Sequence, residues 1–179
     1  MVKYGLEAAI ISDRVNIHYV TGTRNLQVFI ARNPPTRYLF LMATRSIMFE
    51  FTGCLLTHLA QGHETVDEVR TAKSVTFTSS GPKIHYRERK WAQEMVDMIE
   101  SIVGKRSATV GLERINANVA MALKELGLNI VVAQRAIEMA RTIKSPEEVK
   151  CIVASLRATE VTVGKPRDSI APGLMENQL

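Results

Sequence analysis

Residues 109–132, TVGLERINANVAMALKELGLNIVV, decide the fold. Thr109–Leu112 is a short β-branched and apolar run that reads as a strand. Asn116 or Asn118 can cap the helix that follows, which carries Val119, Leu123 and Leu126 at helical spacing, and Gly127 closes it. Leu128–Val132 is one more short strand. Strand and helix signals thus alternate here, which argues for helices packed on the faces of a sheet.

Working outward, the preceding segment is the clearest amphipathic helix of the chain. Trp91, Met95, Met98 and Ile102 recur at steps of four and three with charges between them, and Gly104 can stop it. The first half has a different rhythm. Glu7–Ser12 reads as a buried strand entered almost at once from Met1–Gly5, and Leu26–Ala31, Tyr38–Met42 and Ser46–Phe51 read as further strands. The last two are separated by three residues, which predicts an antiparallel hairpin. Asn33-Pro34-Pro35-Thr36 is a turn, because neither proline can donate into a ladder. Residues 53–70 are poorly patterned; Ser74–Phe77 reads as a strand ended by Ser79-Ser80-Gly81-Pro82. Hairpins in the first half and alternating strands and helices in the second predict an α/β fold with a mixed sheet and flanking helices.

Beyond residue 143 the pattern changes. Ser145-Pro146-Glu147-Glu148 is a strong helix start, with Ser as cap, Pro at the first helical position and Glu three residues after the cap. The helix carries Val149, Ile152, Val153, Leu156 and Val163, and Pro166 predicts that it kinks or ends near Gly164. Ala171-Pro172-Gly173 is a turn. A long amphipathic stripe with nothing to cover it predicts self-association through this helix or poor solubility.

A length of 179 residues fits one domain plus a remainder, and 46% hydrophobic with 23% charged residues excludes a membrane protein and a disordered tail. Cys54 and Cys151 are the two cysteines, so neither a disulfide framework nor a zinc ribbon is available and a reducing, cytoplasmic setting is expected. No signal peptide or membrane-spanning run is present in these residues, and no membrane partner is expected. Twenty-three Lys/Arg against 18 Asp/Glu give a net charge of +5. Residues 1–90 carry the whole excess, and Arg14–Arg45 holds five arginines (14, 24, 32, 37 and 45) and no acid. Their wide spacing reads as solvated arginines at strand ends rather than the dense basic stripe of a nucleic-acid footprint, so no nucleic-acid partner is expected.

The inventory for chemistry is thin. The histidines are His18, His58, His63 and His85; His58 and His63 are five apart, and no His-Glu-x-x-His pattern exists. His63-Glu64 reads as a solvated pair. Neither Cys54 after Gly53 nor Ser80 before Gly81 sits in a nucleophile elbow, and the glycines stand singly rather than in a phosphate loop. The nearest ligand-facing candidate is the arginine stretch with Tyr19 and Phe29, where carboxylate recognition by arginine is physically sensible.

Four motifs taken together resemble the amino-terminal domain of the creatinase, prolidase and aminopeptidase P superfamily, whose catalytic half has the pita-bread fold. They are Asn16-Ile17-His18-Tyr19-Val20-Thr21-Gly22, Val110-Gly111-Leu112-Glu113, Ile143-Lys144-Ser145-Pro146-Glu147-Glu148-Val149, and Ala171-Pro172-Gly173-Leu174-Met175-Glu176-Asn177-Gln178-Leu179. The resemblance implies a ribonuclease-H-like domain over 1–143, and over 144–179 a linker and the first helix of a truncated catalytic domain. It also implies a parent enzyme with two divalent metal ions (manganese, cobalt or zinc) bridged by two Asp, one His and two Glu, all expected farther along than residue 179. Metal-activated water would there attack an amide, commonly an Xaa-Pro bond of a small peptide. These 179 residues are expected to hold no metal and no catalytic residue of their own. In such proteins the amino-terminal domain shapes dimer contacts and lends side chains to a neighbouring subunit's active site, using a Phe-x-Arg. Phe29-Ile30-Ala31-Arg32 is one residue longer, which makes Phe29 and Arg32 the substrate-facing candidates; Arg32 also reads as a strand-end surface arginine. The implied partners are a second copy of the chain and a catalytic domain in cis. Alternatives within the resemblance are a non-peptidase enzyme, creatinase-like or dimethylsulfoniopropionate-lyase-like, and a metal-free protein-binding module.

Overall fold

The computed structural model describes residues 1–23, 37–50 and 60–178. These form two units, Met1–Glu138 and Met139–Leu179.

In the first unit six strands form one sheet: β1 (Ala8–Ile11), β2 (Arg37–Leu41), β3 (Ser46–Glu50), β4 (Glu68–Thr71), β5 (Thr109–Leu112) and β6 (Asn129–Val132), in the order β4-β3-β2-β1-β5-β6. Pairing is antiparallel on both sides of β2 and parallel elsewhere, so β2 alone runs against the rest. The expected antiparallel hairpin is β2–β3, with Tyr38 opposite Phe49 and Phe40 opposite Ile47. β1 is central, and all four of its residues are buried. That is why Ala8-Ala9-Ile10-Ile11 is a continuous apolar run rather than an alternating one.

The strand period of two sorts the core into two faces. Ile10, Tyr38, Phe40, Ile47 and Val110 point to the layer formed by helix α3 (Ile84–Val103) and helix α4 (Ala117–Glu125). Ala9, Ile11, Leu39 and Met48 point to the other face, with Ile17 of helix α1 (Arg14–Thr21), Ala60 and Ala133. On α3, Trp91, Met95 and Met98 are buried as the stripe predicts, joined by Ala92, Val96 and Ile99, and Gly104 ends the helix at φ 83°. Trp91 Nε1 donates to Tyr38 Oη at 2.9 Å, the Tyr38 ring stacks on Phe49 at 4.7 Å, and burial pushes the Tyr38 hydroxyl pKa far up. Asn116 is the cap of α4, accepting from Val119 N at 2.8 Å, while Asn118 reaches Glu88 instead. In β5, Gly111 meets β6's end so closely that an added Cβ would stand 2.9 Å from Ala133 Cβ.

Several expectations are corrected. Ser74–Phe77 is not a strand; Thr76 caps a one-turn helix, α2 (Phe77–Ser80), and the edge strand is β4, in the stretch that lacked a pattern. β4 is half-exposed and charged, as edge strands often are, so its Glu-Val-Arg-Thr shows little hydrophobic period. Helix α5 (Gln134–Arg141), which spans the boundary between the units, was not expected. Arg37 is not a solvated strand-end arginine: it is 7% exposed and paired. Arg45 is a surface residue, but it too has a partner, Glu68 at 2.8 Å.

In the second unit Ser145 and Glu148 close the capping box that the sequence predicts. The helix, α6, runs Pro146–Ser169 and does not stop at Gly164. Proline has a helical φ, and Pro166 lies one residue into the last turn, so its ring costs a single bond in exposed chain rather than breaking the rod. The turn at Ala171-Pro172-Gly173 is present, with Gly173 at φ 93°.

Candidate functional site

The strands other than β2 all end at the same side of the sheet, the side where open α/β sheets place ligands. Two clusters of polar side chains lie toward that side or behind it. At the carboxyl ends of β1 and β5, Asp13 caps α1 by accepting from Val15 N at 2.9 Å, and Arg114 holds Asp13 at 3.1 Å from a backbone with φ 50°. The residue between, Glu113, is 2% exposed and accepts from Asn16 Nδ2 at 2.5 Å and from Asp13 N at 3.1 Å; Ser12 Oγ donates to its carbonyl. Burial raises the Glu113 pKa above the usual carboxylate value, against the lowering effect of the Asn16 bond. Asn16 Nδ2 also stands 3.5 Å from Glu138 of α5. This network joins β1, β5, α1 and α5 through side chains about a hundred residues apart in sequence.

The second cluster is built on the hairpin. Arg37 Nε donates to Glu50 Oε1 at 2.8 Å, and both side chains are almost fully buried, at 7% and 4% exposure. Arg37 Nη2 donates to Thr23 Oγ1 at 2.9 Å, and Ala60 N donates to Glu50 Oε2 at 3.2 Å. Thr23 Oγ1 in turn shares a hydrogen bond of 2.7 Å with Thr21 Oγ1, and His18 Nδ1 lies 3.1 Å from Thr23 O. Burial pulls the Arg37 pKa down while the Glu50 carboxylate pulls it up. Thr23 and Arg37 border residues 24–36, and Glu50 and Ala60 border residues 51–59. The buried ion pair and its two flanking bonds therefore connect the four described residues that border those two segments.

Phe29 and Arg32, the substrate-facing candidates, lie outside the described residues, as do Arg24, Cys54, His58 and the strand expected at Leu26–Ala31. Tyr19 is half-exposed on α1, and His63 and Glu64 are exposed. The buried carboxylates of Glu50 and Glu113 were not among the site candidates, although Glu50 lies within the expected strand Ser46–Phe51 and Glu113 within the Val110–Glu113 motif. The hairpin itself was expected, and its observed register places Arg37 opposite Glu50.

Comparison with known proteins fits this architecture. The sequence model of the family described as "Creatinase/Prolidase N-terminal domain" matches residues 1–143. The chain belongs to this family. Among solved structures, the chain is similar to the prolidase from Pyrococcus furiosus, at a TM-score of 0.65 and 16% identity over 99% of this chain and 44% of that one. It is likewise similar to the X-Pro aminopeptidase from Thermotoga maritima MSB8, at 0.66 and 15% over 97% and 44%. These likenesses establish the α/β fold of a creatinase/prolidase N-terminal domain. Among curated proteins, dimethylsulfoniopropionate lyase DddP of Roseobacter denitrificans is 24% identical over 173 residues, 94% of this chain and 37% of the relative. The chain spans a little over a third of the length of that relative.

The residues described do not suit the dinuclear metal centre that the superfamily implies. Among them no group of three His, Cys, Asp or Glu side chains is placed to hold a metal ion. Asp13 and Glu113 approach one another, but the first is engaged by Arg114 and two helix amides, and the second by Asn16 and the Asp13 amide. Among the described residues no helix is long and apolar enough to cross a membrane.

Proposed function

We propose that this chain is the non-catalytic amino-terminal domain of an Xaa-Pro peptidase-like metallohydrolase, ending in the first helix of the catalytic half. It assembles a homodimer and presents Phe29 and Arg32 to the active site of the neighbouring subunit, in a cytoplasmic setting. The two metal ions and the residues that bind them belong to the catalytic domain in cis, and the substrate is a small peptide. One observation carries the reading: the family match ends at residue 143, two residues before the capping box that opens α6 within a separate unit. The likeness to prolidases nevertheless covers nearly the whole chain, α6 included. The buried Arg37–Glu50 pair supports a presenting role, since it fixes the ends of the segment that carries both candidates.

A second reading has its own support. The dimethylsulfoniopropionate lyase is the relative with 24% identity, above the 13–19% of the solved peptidases, and it favours a parent that acts on that compound. One experiment tests what the two readings share, a chain that is itself non-catalytic and that dimerises. The 179-residue protein, supplied with manganese or cobalt, is assayed for release of proline from an Xaa-Pro dipeptide and for loss of dimethylsulfoniopropionate, and its mass is measured by sedimentation equilibrium. The expected result is no turnover of either compound and a dimer. Turnover by this chain, or a monomer at every concentration, overturns the proposal.

A further inference from the structure

On the α3/α4 face a cavity of about 150 Å³ opens where β1 and β2 meet α2, α3 and α4, and it meets the first polar cluster only at Ser12. Its floor is Ile10, Tyr38, Trp91 and Val119, and Phe77 and Ile115 stand at its rim with Ser12, Thr76 and Asn116. None of the residues that line it is charged. The polar side chains among them already have partners: Trp91 donates to Tyr38 at 2.9 Å, Asn116 accepts from Val119 N at 2.8 Å and donates to Glu88 at 3.0 Å, Thr76 is bonded to Ser79 at 2.9 Å, and Ser12 donates to Glu113 O. Nothing in the wall is left to compensate a buried charge, and little is left to hold water.

The walls are also fixed in place. Tyr38 is sandwiched between Phe49, stacked at 4.7 Å, and the edge of Trp91 at 5.5 Å, so the floor cannot relax inward without breaking these contacts. A mainly apolar recess of about 150 Å³ has the size that accepts one benzene-sized ring. Drug-sized ligands need roughly 300 Å³ or more, so the site is too small for them. Phe77 is 67% exposed although it is a large aromatic side chain beside an apolar opening.

We propose that this cavity is a binding site for a neutral molecule with a single apolar ring, toluene-sized, which seats on Trp91 and Tyr38 and is flanked at the rim by Phe77. The site does not depend on the peptidase or lyase reading.

The test uses the only tryptophan of the chain, which lies in the cavity floor. Toluene is titrated into the 179-residue protein while Trp91 emission is followed, with benzoate and anilinium as charged probes of similar size. Saturable binding of toluene is expected, with both charged probes at least about tenfold weaker because their charge would be buried unpaired. Val119→Phe, which fills the floor, is expected to weaken toluene at least tenfold, and Phe77→Ala, at the exposed rim, severalfold with unchanged far-ultraviolet circular dichroism. Should Val119→Phe fail to fold, Ile115→Phe at the rim replaces it with the same expectation. A change in emission that does not saturate, equal binding of the charged probes, or unweakened binding to the filled variant overturns the proposal.

Discussion

Replacing Glu50 by leucine removes the acceptor of two buried donors, the Arg37 guanidinium at 2.8 Å and the Ala60 amide at 3.2 Å. Arg37, 7% exposed, keeps its bond to the Thr23 hydroxyl but loses the carboxylate that faces it in the hairpin. Breaking a buried ion pair from one side costs about 3–5 kcal/mol. With a urea dependence of about 2 kcal/mol per molar, typical of small domains, the unfolding midpoint falls by roughly 1.5–2.5 M. The companion variant decides the cause. Arg37→Met with Glu50→Leu removes both charges and both desolvation penalties, so the pair is expected to recover most of that loss, to within about 2 kcal/mol of the unaltered protein. The assay is urea unfolding followed by Trp91 fluorescence, which reports on the first unit because the sole tryptophan is buried in its core. A Glu50→Leu protein within about 1 kcal/mol of the parent, or a double variant as unstable as the two single changes summed, refutes the reasoning.

Three further outcomes are expected. Because burial raises the folded pKa of Glu113, its contribution to stability is present below the ordinary carboxylate value and is lost as pH rises through the raised one; Glu113→Gln should flatten stability against pH in that window, and an unchanged slope in urea melts at several pH values contradicts it. Gly111→Ala drives a Cβ to 2.9 Å from Ala133 Cβ and 3.2 Å from Leu6, an overpacking worth about 1–3 kcal/mol, so the circular-dichroism melting temperature should drop by several degrees, and an unshifted melt counts against the close approach. The apolar stripe of α6, where Ile152, Val153 and Leu156 are 40–57% exposed, should drive self-association that Leu156→Glu weakens; light scattering giving the same mass for both proteins at all concentrations sinks that expectation.

Much of the fold could be read before the structure because its elements carry redundant signals. α3 has a stripe and a stop glycine, α4 has an asparagine cap, and α6 has serine, proline and glutamate in their expected places. β4 and α2 were misplaced because both obey the sequence only weakly. Glu68–Thr71 is held by pairing to β3 rather than by its own pattern, and the β-branched Val75 and Thr76 mimic a strand while Thr76 acts as a cap. The polar clusters were less legible for a different reason. The Asn16–Glu113 bond joins residues 97 positions apart, and no local periodicity reports such a contact. Arg37 and Glu50 look like surface charges until the hairpin places them opposite one another beneath Thr23 and Ala60.

The row of bonds from Thr23 through Arg37 and Glu50 to Ala60 gathers residues from four separate stretches of sequence around one buried charge pair. A substitution at any one of these four residues is therefore felt by the others, which makes the row of bonds a single cooperative element rather than a set of local contacts.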